Sequence, residues 1–136
     1  MDALAGPAAP LWQKLGLKPG QRLLLLDAPK DFDLLLAGAP GGIVRTSRVA
    51  AFDAAVLFAT TVRAQETHLA RVLTKFASGG MLWLAWPKKT SGVVTDLSDE
   101  AVRRMGLAAG LIDVKVCAID ETWAALKFVH RHGRPL

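Results

Sequence analysis

Several absences narrow this chain of 136 residues before any motif is considered. It has one cysteine, Cys117, so no internal disulfide forms, and the expectation is a reducing cytoplasm. Its longest apolar runs, such as Met81 to Trp86, fall far short of the roughly 20 residues that span a bilayer, so no membrane role is expected. The opening Met1-Asp2-Ala3-Leu4-Ala5-Gly6-Pro7 lacks the positive stretch of a secretory signal, which agrees with a cytoplasmic location. Acidic residues are fewer than basic ones, 12 against 17, giving a net charge of +5. Yet the only adjacent basic pairs are Lys88-Lys89 and Arg103-Arg104, and no basic stripe interleaves with aromatics, so there is no strong nucleic-acid footprint. No Ser/His/Asp arrangement or metal-ligand spacing occurs, and no metal is expected. Cys117 has no partner that would make it a nucleophile and reads as a small buried hydrophobe.

What is present is apolar. The hydrophobic share is 51%, and with the 12 glycines it reaches about 60%, above the roughly 45–50% of ordinary domains. Such an excess points to strands covered on both faces and leaves a homodimer open. Leu23 to Leu26, Ala54 to Ala59 and Met81 to Trp86 are continuous apolar runs of strand length, and Ile43 to Thr46 is a shorter one. Between them, Leu11, Trp12 and Leu15 face one side of a short helix, and Asp31 is placed to cap another carrying Phe32, Leu35 and Leu36. Thr61 is the expected cap of a third helix, in which Leu69, Val72, Leu73 and Phe76 follow the i, i+3, i+4, i+7 pattern until Ser78-Gly79-Gly80 ends it. Ser98 caps a fourth, with Asp99 and Glu100 in its first turn and Gly110 at its end. Leu111 to Ile119 alternates, with Ile112, Val114 and Val116 on one side and Asp113 and Lys115 on the other. Trp123 to His130 alternates too, and Asp120-Glu121-Thr122 between them makes the pair an antiparallel hairpin.

Strands alternating with helices and followed by a hairpin predict an α/β fold with an open, mostly parallel Rossmann-like sheet. Residues 1–10 read as a flexible tail, 11–130 as one domain and 131–136 as a frayed tail. His68, His130 and His132 read as surface residues.

Three segments resemble the Rossmann-like methyltransferase superfamily. Lys18-Pro19-Gly20-Gln21-Arg22-Leu23-Leu24-Leu25-Leu26-Asp27 is similar to its approach to strand one, Phe52-Asp53-Ala54-Ala55-Val56-Leu57 to its fourth strand, and Ser78-Gly79-Gly80-Met81-Leu82-Trp83-Leu84 to the turn into its fifth. The final helix, strand and hairpin match its sixth and seventh strands. The resemblance implies S-adenosylmethionine binding through a glycine-rich turn after strand one, where backbone approaches ligand closely. Here that turn is Asp27-Ala28-Pro29-Lys30-Asp31, without glycine and with a proline that lacks an N–H. Ser47 to Asp53 stands where the superfamily has a helix, a strand and another helix, and Arg45-Thr46-Ser47-Arg48 replaces its ribose-binding acid. The expectation is therefore a trimmed fold with no cofactor. The C-terminal half also resembles a small bacterial family of unknown function, through Trp86-Pro87-Lys88-Lys89-Thr90-Ser91-Gly92, Thr95-Asp96-Leu97, Val114 to Trp123 and Lys127-Phe128. That resemblance implies no activity.

In open α/β sheets, ligands bind beyond the carboxyl ends of the strands. If Leu111 to Ile119 runs parallel to the earlier strands, that rim collects Asp27, Thr60, Trp86, Lys88, Lys89, Ser91, Asp120, Glu121 and Trp123. Lys88, Lys89 and Ser91 are suited to an anion, or are solvated loop residues. Asp120 and Glu121 are an acid/base pair or turn formers, and the tryptophans stack on a ligand or pack in the core. The first expectation is a non-catalytic module binding a small anionic ligand or a protein partner. The alternatives are an enzyme using Lys88 or Lys89 with Asp120 or Glu121 and, less favoured, an S-adenosylmethionine-dependent methyltransferase.

Overall fold

A computed structural model describes residues 9–131. Expectations for residues 1–8 and 132–136, His132 included, lie outside the described residues. The elements are α1 (Leu11–Lys14), β1 (Arg22–Leu26), α2 (Phe32–Leu35), β2 (Val44–Thr46), β3 (Phe52–Phe58), α3 (Val62–Val72), β4 (Phe76–Pro87), α4 (Asp99–Ala108), β5 (Leu111–Ala118) and β6 (Trp123–His130). The strands form one sheet in the order β2-β1-β3-β4-β6-β5. β2, β1, β3 and β4 are parallel neighbours, while β6 is antiparallel to both β4 and β5. The expected α/β sheet with its terminal hairpin is present.

The central strands are buried on both faces, as the apolar excess requires. Leu24, Ala55, Leu57, Leu82 and Leu84 pack on one face, where Leu69 and Val72 of α3 and Val102 of α4 cover them. Leu23, Val56, Phe58 and Trp83 pack on the other, beneath Leu11, Leu15, Phe32 and Leu36. At roughly 1.5–3 kcal/mol for each large apolar side chain buried, these two layers supply most of the driving force for folding.

Four local expectations need correction. Asp31 makes no side-chain cap bond to α2, which is only a single turn. The third helix stops earlier than its apolar pattern suggests: α3 tightens into a 3₁₀ turn at Leu73–Lys75, and Phe76 opens β4, stacked 5.7 Å from Phe52. Ser78-Gly79-Gly80 is therefore an irregular start to β4, with Gly79 at φ +88° and the register shifted between Phe52 and Ala54. In β5 the register shifts between Asp113 and Lys115. One inserted residue exchanges the faces of everything beyond it, so Leu111 packs with the α4 layer and Cys117 with the α1 layer. Val114 and Val116, expected on a common face, are exposed.

The crossover from β2 to β3 is also short. Residues 47–51 pass over β1 with only Val49 packed against the core, whereas parallel strands are usually joined through a helix. A β2 of three residues, paired with the first half of β1, makes so short a return feasible.

Candidate functional site

The carboxyl edge of the sheet is built from the end of β1 outward. Strand order reverses between β1 and β3, the kind of point beside which open α/β sheets bind ligands. Asp27, the first residue past the strand, takes φ +56° and is the only described non-glycine residue with positive φ. Aspartate is among the few side chains that tolerate this conformation. Its exposed carboxylate meets His68 of α3, with Oδ2 and Nε2 2.9 Å apart. A cleft of about 360 Å³ lies beside this turn, lined by Leu25, Asp27, Ala28, Arg45, Thr46 and Ser47. Arg45 is drawn to Asp33 at 3.1 Å, while Thr46 Oγ1 accepts from the Arg48 N–H and keeps its own proton free to donate.

His68 is buried, not on the surface, and so is His130, which bonds the Phe76 carbonyl from the end of β6. Gln65 is fully buried and donates to the carbonyls of both Leu57 and Ala85 at 2.9 Å, tying β3 to β4 just below the carboxyl edge. The inward face of α3 is thus Gln65, His68, Leu69 and Val72, one turn earlier than the apolar pattern indicates. Apolar spacing alone cannot reveal polar residues on a buried face. The only sequence signal was their i, i+3 spacing in register with Leu69 and Val72.

The other rim residues do not form a single site. Lys88 and Lys89 line a second cleft of about 490 Å³ with Trp86, Ser98, Asp99 and Glu100. Trp86 is buried in the core. Ser91 Oγ donates back to the Lys88 carbonyl at 2.7 Å, closing its own loop. The end of β4 meets the β5–β6 turn, where the Lys88 N–H donates to the Thr122 carbonyl at 2.8 Å. Asp120 holds that turn, its Oδ1 accepting from the Thr122 and Trp123 N–H groups at 2.8 Å each. Glu121 is exposed beside it. Trp123 packs edge-on against Phe58 with ring centres 5.1 Å apart. The Thr60 carbonyl accepts from Thr95 Oγ1 at 2.6 Å, which anchors the loop before α4. Burial pushes the Cys117 thiol up, with Lys14 and Lys115 only partly opposing it, which disfavours the thiolate. The described residues contain no metal-ligating cluster, and none of their helices is long and apolar enough to cross a membrane.

No protein-family model matches the chain, and no curated protein does. The similarity to a bacterial family of unknown function therefore rests on the quoted strings alone. Solved structures do match. An S-adenosylmethionine-dependent methyltransferase from Aquifex aeolicus aligns with TM-score 0.59 at 12% identity, over 89% of this chain and 88% of that one. A protein of the NADB-Rossmann superfamily from Streptococcus agalactiae gives 0.58 at 13% identity, over 92% and 69%. Magnesium protoporphyrin IX methyltransferase from Synechocystis PCC 6803, crystallised with S-adenosylhomocysteine, gives 0.56 at 9% identity, over 88% and 78%. The same enzyme is also known with S-adenosylmethionine bound. At these identities the likeness is one of fold, a methyltransferase-like Rossmann fold. It overturns the expectation of a chain without a cofactor, because proteins of this fold are crystallised with that ligand. Part of the error is visible in the geometry. The expectation rested on the lack of a glycine after β1, yet the chain turns left-handed there without one, at Asp27.

Proposed function

We propose that this chain is an S-adenosylmethionine-dependent methyltransferase whose cofactor lies in the cleft between the carboxyl ends of β1 and β2. The observation that carries this reading is the position of that cleft, beside the reversal of strand order in a fold shared with an enzyme crystallised with this cofactor and its product. Its volume of about 360 Å³ lies within the usual range of ligand sites, roughly 300–1,000 Å³.

The lining suits the group. The cofactor supplies a methyl group on a cationic sulfonium and also carries an ammonium. The Asp27 carboxylate, held by His68, offers the complementary negative charge at the turn. Thr46 and Ser47 provide hydroxyls where the superfamily places an acid, so ribose recognition here uses neutral donors and acceptors. A reducing cytoplasm suits this reading, since Cys117 is free and buried.

Calorimetric titration with S-adenosylhomocysteine tests it. The chain should bind, and Asp27→Ala should weaken binding on the order of tenfold or more, the worth of one charge-assisted hydrogen bond. A flat titration with the unaltered chain would refute the reading.

A further inference from the structure

The opposite edge of the sheet carries a feature that the proposed cofactor cleft does not use. Lys127 stands in the middle of β6, half-buried, on the face that carries α1. In the ladder it lies opposite Trp83 of β4 on one side and Lys115 of β5 on the other. Like charges directly opposite one another destabilise a sheet. Lys115 extends toward α1, its Nζ 3.4 Å from the Lys14 carbonyl. Lys127 also lines a cleft of about 450 Å³ together with Lys18, Gly16, Gln21, Gly79 and His130. Lys14, Lys18, Lys115 and Lys127 thus gather around one end of α1.

None of the four has an ion-pair partner among the described residues, whose carboxylates Asp53, Asp33 and Asp113 hold Arg22, Arg45 and Arg103, while Asp27 is hydrogen-bonded to His68. The nearest carboxylate in sequence is turned away. The β5 bulge sends Asp113 to the α4 face, where it holds Arg103 at 2.9 Å, and leaves Lys115 on the α1 face. Burial, reinforced by Lys115 and Lys18, lowers the Lys127 pKa, in keeping with an ammonium group that has no counter-ion among the described residues. Backbone is accessible as well: nothing lies within 4 Å of where a Cβ on Gly79 would stand.

We propose that this lysine-lined cleft between α1, the start of β4 and β6 binds a small molecule through a phosphate or diphosphate group. A compact polyanion relieves the mutual repulsion of several ammonium groups at once, which a single carboxylate does less well. The cleft opens at the amino ends of the parallel strands, away from Asp27, so it is independent of the cofactor proposal. A cationic sulfonium ligand does not suit it.

The test is calorimetric titration of the full chain, at low salt, with inorganic diphosphate and separately with a nucleoside diphosphate. Both should bind. Equal affinities identify the phosphates alone as the recognised group, and tighter binding of the nucleoside diphosphate identifies a nucleotide. Lys127→Met and Lys18→Gln should each weaken binding on the order of tenfold. Lys18 is exposed and outside any helix or strand, so its variant is expected to fold even if Lys127→Met does not. Arg104→Gln removes the same charge from α4 on the opposite face and should leave the affinity within about twofold, since a distant exposed charge is screened. Lys127→Met should also raise the urea midpoint, a gain in stability coupled to a loss of binding that marks a site kept for function. No binding of either probe overturns the proposal, as does equal weakening by Arg104→Gln. Binding confined to a single-stranded oligonucleotide, with steep salt dependence, also overturns it in favour of a nucleic-acid surface.

Discussion

Gly106, in the last turn of α4, is buried against β6. A Cβ there would stand 2.0 Å from Phe128 Cε2, 2.4 Å from Cζ and 2.5 Å from Cδ2. Ordinary carbon contacts are about 3.5–4.0 Å, so relief requires a movement of roughly 1.5 Å. Phe128 is itself 0% exposed and cannot swing into solvent. Either its ring leaves its rotamer or α4 lifts from the sheet. Overpacking of this kind typically costs about 1–3 kcal/mol, and so deep an overlap with a closed-in ring belongs at the upper end. Helix propensity works in the other direction, favouring alanine over glycine by about 1 kcal/mol. The net expectation for Gly106→Ala is a loss of about 2 kcal/mol. With an unfolding entropy near 2.1 cal/mol/K per residue over 136 residues, that corresponds to a Tm lower by about 7 °C. Thermal unfolding followed by circular dichroism measures it. A double-mutant cycle with Phe128→Leu adds a second readout, because a smaller partner should recover part of the loss and leave the two changes non-additive. If Gly106→Ala is as stable as the parent or more so, propensity outweighs the clash and the close approach of α4 to the sheet is wrong.

Other expectations follow from single contacts. Arg22 holds the Asp53 carboxyl below its ordinary value, chiefly by side-chain and backbone hydrogen bonds. A depressed carboxylate stabilises the fold above its unfolded pKa of about 3.9, and that stability is lost as the pH falls toward the folded value. Asp53→Asn should therefore be less stable than the parent at pH 7, with the gap closing below about pH 4 in denaturant titrations. Ser98 Oγ accepts from the Ala101 N–H to cap α4 at 3.1 Å, so Ser98→Ala should cost about 1 kcal/mol by urea unfolding. Gln65→Leu leaves the Leu57 and Ala85 carbonyls with one donor fewer each and should cost about 1–3 kcal/mol. Unchanged stability in that variant would mean that the two strand ends do not depend on the bridge.

Much of this architecture was legible in the residues. The runs at Leu23, Ala54 and Met81 announce strands covered on both faces, and Thr61 and Ser98 cap their helices as expected, accepting from Ala64 and Ala101. The hairpin spacing around Asp120-Glu121-Thr122 placed β5 beside β6. The errors share a cause. Phe76 satisfies helical spacing and strand burial equally well, so only its pairing with Phe52 assigns it to β4. Val114 and Val116 alternate correctly, but a bulge reverses which face they occupy. His68 and His130 are polar and so read as surface, yet each is buried with a hydrogen-bond partner on another element.

The sequence by itself determined the fold class, because burial on two faces and turn chemistry are local properties written along the chain. It also pointed to the carboxyl ends of the strands as the place where a ligand is expected. Only the tertiary structure decided which residues meet there. Asp27 joins His68 and the end of β2, whereas Lys88 and Lys89 open onto a different cleft beside α4. The gathering of Lys14, Lys18, Lys115 and Lys127 was likewise hidden, since it depends on strand register and on the bulge that turns Asp113 away. Spacing along a chain fixes neighbours within a helix or strand, while contacts between residues tens of positions apart depend on how the sheet is ordered and twisted.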